Sequence, residues 1–180
     1  MRKEQGISII DDFNGEFRFL SNFFPCLIHR GTDVIWNSTE AAFQAAKVKG
    51  QDHYKEFMAM SPAQSKKAGK NVKIREDWDD VKLGIMFHLV RDKFSQNMDL
   101  TVKLIETGDA LLVEGNTWRD NFWGIHHEQN EVLPLSVIKA SCLPCAGNNY
   151  LGRILMNVRF HLSLSNFSTI INKSRNEING

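Results

Sequence analysis

The sequence lacks any run approaching the ~20 consecutive apolar residues of a membrane span, and its first residues form no basic-then-apolar leader. On this pattern neither membrane insertion nor secretion is expected, and the location is read as cytoplasmic. Cysteine is sparse: three residues, an odd count, make a poor disulfide framework and fit a reducing compartment. An excess of one charge is missing too, with 22 Lys and Arg against 21 Asp and Glu for a net charge of +1. That balance excludes a polybasic grip on DNA or RNA as the main function. The Walker loop, G-x-G-x-x-G, G-x-S-x-G and H-E-x-x-H are all absent. Tyrosine is scarce, two residues, whereas phenylalanine numbers 12 and tryptophan 4. Much of that aromatic content stands beside polar residues.

At 180 residues, 42% hydrophobic and 24% charged, the chain suits one domain. Such a domain buries roughly two-thirds of its unfolded surface, so no disulfide or metal staple is needed. Residues 7–36 are β-inclined, with an apolar run at Ile7–Ile10 and a turn signal between Phe13 and Phe17. A hairpin is expected over Leu27–Ile35, with Gly31-Thr32-Asp33 at its tip. From residue 37 the pattern turns helical. Asn37 is the expected N-cap of a helix through Val48, closed by Gly50. Further helices are expected over Asp52–Met60, from Ser61-Pro62, and from Asp77, the last being the longest. In that longest helix Val81, Ile85, Met86, Leu89, Val90 and Phe94 define a core face. Leu100, Leu104 and Ile105 mark another helix, ending at Gly108. A short run at Ala110–Val113 leads into a loop over Gly115–Gly124, and the final helix spans Leu151–Leu164. The fold class is therefore α+β: a mainly α-helical single domain over residues 1–165 with a small N-terminal β element. Residues 166–180 form a polar tail, expected to fray.

Four constellations could carry chemistry. In the helix from Thr39, Glu40, Gln44 and Lys47 fall within ~60° of one line at helical spacing. The other faces hold alanines, Phe43 and Val48, so the helix is expected to be buried with its polar stripe facing a pocket. The alternative is a capping box, with Glu40 three residues after Asn37 and Lys47 snorkelling outward. Next, Phe17–Pro25 sets four Phe around Arg18, Ser21 and Asn22, the residue types that stack a flat base and hold ribose or phosphate. A hydrophobic loop packed on the domain is the alternative. Third, Glu114–Gly124 places Trp118, Trp123, Phe122, Asp120 and two Asn in a glycine-bounded loop. The fourth is the basic cluster Lys66, Lys67, Lys70, Lys73 and Arg75, which is either a phosphate rim or a solvated helix face.

A fifth pattern competes with these. His126-His127-Glu128 and Cys142-Leu143-Pro144-Cys145 supply the H-x-E and C-x-x-C that zinc nucleobase deaminases join. Here the proline lies inside the C-x-x-C, and the segment between the two elements is short for the usual strand and helix. A metal-free loop is the preferred reading, with a structural zinc as the alternative.

Taken in order, the motifs resemble the NADAR superfamily, the YbiA-like domains. The resemblance rests on Phe13-x-Gly15, Phe19-Leu20-Ser21-Asn22-Phe23-Phe24-Pro25 and Ser38-Thr39-Glu40-Ala41-Ala42-Phe43-Gln44-Ala45-Ala46-Lys47. It continues through Lys66-x-x-Gly69-Lys70, Arg75-x-Asp77-Trp78-x-x-Val81-Lys82 and Thr107-Gly108-Asp109. Glu114-Gly115-Asn116-x-Trp118, Asp120-x-Phe122-Trp123-Gly124 and Gly147-Asn148-Asn149-Tyr150-Leu151-Gly152-Arg153 through Arg159 complete it. Two departures stand out: Lys70 replaces an expected Arg, weakening any bidentate phosphate contact, and Ile125–Ala146 is longer than usual. The long segment is placed to reshape the substrate mouth.

The resemblance implies a mainly helical α+β domain without metal or cofactor. It implies N-glycosidase chemistry on ADP-ribosylated guanine, as a nucleotide or in single-stranded DNA, or on a ribosylaminopyrimidine phosphate of riboflavin synthesis. The carboxylates it places at the site are Glu40, as acid/base or ribose anchor, and Asp120, as electrostatic partner. Lys47, desolvated among alanines and shifted toward neutrality, is the nucleophile candidate. Phe19, Phe23, Trp118 and Trp123 are expected to wall the base. Ser21, Asn22, Gln44 and Asn149 are expected to position it, with Arg18, Lys70, Trp78 and Gly124 completing the binding set. A non-catalytic reader of ADP-ribose or NAD is the second reading, and a zinc nucleobase deaminase the third.

Overall fold

The structure, a computed structural model, describes residues 1–48, 54–129 and 131–178, with side chains described through Ser165. Gly50, and Asp52 at the start of the expected second helix, lie outside the described residues.

The chain opens with an antiparallel hairpin, β1 (Arg2–Glu4) and β2 (Ile7–Ile10), in register Arg2↔Ile9 and Glu4↔Ile7. Its two-residue turn needs positive φ at both positions, and Gln5 and Gly6 supply φ of 50° and 78°. A single 3-10 helix covers Gly15–Leu20, where the sequence pattern suggested only a turn. The expected second hairpin forms as β3 (Ile28–Arg30) and β4 (Val34–Trp36), with Gly31 at its tip in the left-handed region.

Helix α1 (Thr39–Ala46) occupies the centre of the molecule. Ala41, Ala42 and Ala45 are almost fully buried, and their small side chains let α2 (Pro62–Ala68) and α3 (Trp78–Gln96) approach closely. Ser61 caps α2 with the full reciprocal capping box, as its Ser-Pro start implies. Tyr54–Ala59 forms a 3-10 helix in place of the latter part of the expected α-helix. Met86, Leu89, Val90 and Phe94 of α3 face the core as their spacing requires. α4 (Met98–Glu106) packs on α3, and β5 (Leu111–Leu112) then runs parallel to β2 in register Ile9↔Leu111. β6 (Gly115–Asn116) and β7 (Ile125–His126) pair in parallel and draw together the ends of the Trp-rich loop.

Three further features depart from the sequence pattern. The N-cap of α1 is Ser38, whose side chain accepts from the Ala41 amide at 3.1 Å, while Asn37 reaches back to the Met60 carbonyl at 2.8 Å. Within Ile125–Ala146 lies a helix, α5 (Leu135–Ser141), of two turns, too short for apolar periodicity to reveal. Its Leu135 and Ile138 join Ile9, Val113, Ile125 and Leu133 in a second small core. The longest helix is α6 (Tyr150–Ile178), with 29 residues against 19 in α3. α6 runs past Leu164 because no Gly or Pro interrupts it, and extending a helix already nucleated by packing costs little per residue. Its first half anchors the fold: a Cβ at Gly152 would meet the Leu112 carbonyl at 2.1 Å, so glycine alone lets α6 lie on β5. The whole is a single, mainly helical α+β domain, and among the described residues no helix is long and apolar enough to cross a membrane.

Candidate active site

Because Ser38 caps α1, Glu40 is released from any capping role. Its backbone N–H instead donates to the Asn22 carbonyl at 3.0 Å, tying α1 to the aromatic segment before it. Its side chain turns into a cavity of about 800 Å³ shared with Gln44 and Lys47. Gln44 Nε2 donates to Glu40 Oε1 at 2.8 Å. Burial raises the Glu40 pKa, against the Gln44 hydrogen bond and the charges of Lys66 and Lys47, while Asp120 adds to the rise. Lys47 ends the same stripe, with Nζ donating to the Gly69 carbonyl at 3.3 Å and standing 5.9 Å from the Trp78 ring centre. Burial lowers its pKa, opposed by Glu40 and assisted by Lys66.

Asp120 faces this stripe from the Trp-rich loop. Its Oδ1 accepts from the Phe122 and Trp123 amides, both at 2.9 Å, the local turn that Asp favours. Asn116 clamps the turn from the other side, donating to the Asp120 carbonyl at 2.7 Å and accepting from its N–H at 3.0 Å.

Aromatic rings line the walls. Phe43 stands 4.9 Å from Trp78 and 5.3 Å, edge-on, from Trp123. At the mouth Lys66 sits between the Phe23 and Trp118 rings, 5.4 and 5.7 Å from their centres, and Trp118 remains 59% exposed. Arg18, Lys67, Lys70 and Lys82 complete a basic rim, while Ser21 and Asn22 line the aromatic segment's side. The charges are thus sorted by depth: Glu40, Asp120 and Lys47 inside, the other lysines at the rim.

Three expected binding residues stand elsewhere. Phe19 packs edge-on against Phe94 at 6.4 Å in the core, since the 3-10 helix turns it away from the cavity that Arg18 lines. Gly124 lies behind the site, where a Cβ would meet the Glu114 carbonyl at 2.0 Å. Asn149 is fully buried at φ 52°, accepting from the Glu114 N–H and donating to the Leu112 carbonyl, each at 3.1 Å. Asn149→Asp cannot make the second bond and sets a buried oxygen against that carbonyl. Unfolding in urea should show a loss of about 2 kcal/mol, and a loss under 0.5 kcal/mol would contradict the clamp.

Other lining residues escaped sequence reasoning. Glu114 was visible as part of a motif but carried no spacing signal for a site. Phe43 and Met86 have the periodicity of core and line the cavity as well. Conversely, none of the described residues in 125–146 lines the cavity, because that segment is anchored to the second core on the sheet's side. Its His126 stays with Asn116 and Glu128, Cys142 lies 3.9 Å from Ser141 Oγ and Asn149 Nδ2, and Cys145 is exposed. Among the described residues no group of three His, Cys, Asp or Glu side chains is arranged to hold a metal.

The site is thus an aromatic cavity lined by carboxylates and lysines in a mainly helical domain. The family model of the NADAR domain matches residues 11–163, and the chain belongs to that family. It is 35% identical over 149 residues to a riboflavin biosynthesis protein of Vibrio vulnificus, covering 80% of this chain and 35% of that one. With an N-glycosidase of Nostoc punctiforme it shares 34% identity over 145 residues, 77% of this chain and 81% of the relative. The NMR structure of the Escherichia coli protein YbiA superposes with a TM-score of 0.67 at 26% identity, covering 89% of this chain and 88% of that one. The chain therefore spans about a third of the Vibrio protein and most of the other two.

Proposed function

We propose that this chain is an N-glycosidase, a hydrolase of ribosyl C–N bonds, acting at the cavity of α1. The observation that carries the reading is the buried Glu40–Gln44–Lys47 stripe, within electrostatic reach of Asp120, beneath a rim of lysines. The relatives named N-glycosidase support the bond type. Substrate choice follows from the charge sorting. The rim takes phosphate, the aromatic walls take a flat base, and the inner carboxylates take ribose hydroxyls and the positive charge that grows on the sugar. An ADP-ribosylated guanine, free or in single-stranded DNA, fits that description, as does a ribosylaminopyrimidine phosphate of riboflavin synthesis. The three free cysteines support a reducing compartment, the cytoplasm.

Cleavage passes through an oxocarbenium-like state, which the Asp120 carboxylate stabilises while Glu40 holds the ribose or readies water. Where the glycosidic nitrogen carries a hydrogen, the sugar ring opens to an imine at C1. Neutral Lys47 then adds to C1, the base leaves as its amine, and water hydrolyses the Lys47 Schiff base to aldehyde and free lysine. Protons balance over the cycle.

Calorimetric titration with ADP-ribose, paired with timed assay of ADP-ribosyl-guanosine, separates this reading from a reader of the same ligand. Multiple turnovers of released guanosine are expected. Tight ADP-ribose binding with no product over hours would establish the reader instead.

A further inference from the structure

We propose that Glu114 is a catalytic acid of this cavity, protonating the departing base nitrogen from its carboxyl group, and that Asn149 is the positioning residue that fixes it. The proposal rests on the glycosidase reading above.

The three inner carboxylates differ in what surrounds their oxygens. Asp120 has one oxygen held by two backbone N–H groups. Glu40 shares an oxygen with the Gln44 amide and lies near Lys47. Glu114 lines the same cavity, yet its Oε2 is buried without a hydrogen-bond partner among the described residues. An ionised carboxylate with an oxygen so placed lacks every means of stabilisation except distant charge, a cost that the neutral acid avoids.

The backbone behind Glu114 is pinned at each polar atom. Its N–H donates to Asn149 Oδ1 at 3.1 Å, and its carbonyl accepts from the Ile125 N–H at 2.9 Å. Gly124 packs on that carbonyl too closely for any side chain. Asn149 in turn is fixed by its second bond to Leu112 and by its left-handed conformation. An acid must be held within hydrogen-bond reach of the atom it protonates, and this lattice of contacts supplies the constraint.

The charged groups facing Glu114 are Asp120 from the loop after β6, Asp12 from the segment after β2, Lys66 from α2 and Lys93 from α3. Burial first, then the two aspartates, push its carboxyl up to about 7 against the pull of the two lysines. It therefore keeps its proton near neutrality and can return it. In the step itself the C1–N bond breaks with its electron pair going to nitrogen, and the carboxyl proton of Glu114 follows. Water adds at C1, and one of its protons restores the Glu114 acid.

The test compares Glu114→Gln with the parent on two leaving groups. One is an N-ribosyl substrate that the parent cleaves. The other is 4-nitrophenyl riboside 5-phosphate, whose phenolate departs without a proton. Base release should fall at least about a hundredfold in the variant, while nitrophenolate release stays near the parent rate. The parent's kcat should fall as pH rises through neutrality, and the variant should lose that limb. Asn149→Ala should slow base release more than nitrophenolate release. Equal losses on both leaving groups, or an unaltered alkaline limb in Glu114→Gln, would overturn the assignment, since a merely structural role slows both alike. A parent that cleaves no N-ribosyl bond overturns the glycosidase reading and this role together. A parent that cleaves, with a variant equally fast, overturns this role alone.

Discussion

Lys47→Ala is expected to lower ribosyl–base cleavage on the order of a thousandfold, about 4 kcal/mol of lost transition-state stabilisation, with the fold intact. The lysine stands where α1 ends, half-buried, donating to the Gly69 carbonyl among the described residues and with a lowered pKa. Glu40 retains its bond from Gln44 when the lysine is removed, so the loss is one donor to the Gly69 carbonyl. Activity and stability are thus separable at this position. Lys47→Arg sharpens the result: a guanidinium keeps the charge but cannot shed its proton to become a nucleophile. Both variants should be inactive if the amine forms a Schiff base, and borohydride should trap a ribosyl adduct on Lys47 in the parent alone. Retained activity in Lys47→Arg would mean that only the charge matters. Retained activity in Lys47→Ala would remove the residue from the mechanism. The readouts are kcat for base release and the melting temperature of each variant.

A second large effect is a dip in stability around neutral pH, caused by two ionisable groups shut inside the fold. Burial pushes the Glu114 carboxyl from its ordinary 4.5 to about 7. Burial also brings Lys93, fully enclosed with Nζ on the Ser21 carbonyl at 2.8 Å, from 10.5 down to about 8. Between about 4.5 and 7 the folded chain holds a proton on Glu114 that the unfolded chain has lost, so stability falls as pH rises through that window. Between about 8 and 10.5 the unfolded chain holds a proton on Lys93 that the folded chain has released, so stability climbs again. Each shift corresponds to roughly 3 kcal/mol. Glu40, raised, and Lys47, lowered, act in the same senses. Urea unfolding of the parent against Glu114→Gln should show the variant gaining about 3 kcal/mol on the parent between pH 4.5 and 8. Against Lys93→Met, the parent should gain by a similar amount between pH 8 and 10.5. A difference independent of pH in both comparisons would contradict the buried charges.

What the sequence made legible was whatever has a period or a punctuation mark. The alanine-rich repeat of α1 put Glu40, Gln44 and Lys47 on one face, and the structure keeps them there. Ser61-Pro62, Gly31 and the core face of α3 were likewise readable, since caps, turns and helical spacing act locally. Contacts between distant segments were not. Asn149 belongs to a motif, yet its partners Glu114 and Leu112 lie 35 and 37 residues away, so its place behind the cavity has no sequence signature. Phe19 and Phe23 look alike in one aromatic run, but one turn of 3-10 helix sends the first to the core and leaves the second at the mouth. Lys93 sits one residue before a core phenylalanine with no sequence sign of its burial, which comes from the Ser21–Phe24 segment covering α3 on that side.

The most direct measurement of the central claim is release of free base from three substrates by the parent and by Lys47→Ala. The panel comprises ADP-ribosylated guanine in single-stranded DNA, free ADP-ribosyl-guanosine, and a ribosylaminopyrimidine phosphate, with products separated by chromatography. The account predicts repeated turnover of at least one of them by the parent and none above background by the variant. Base release from none of the three, or equal release by both proteins, would contradict an N-glycosidase working at the α1 cavity.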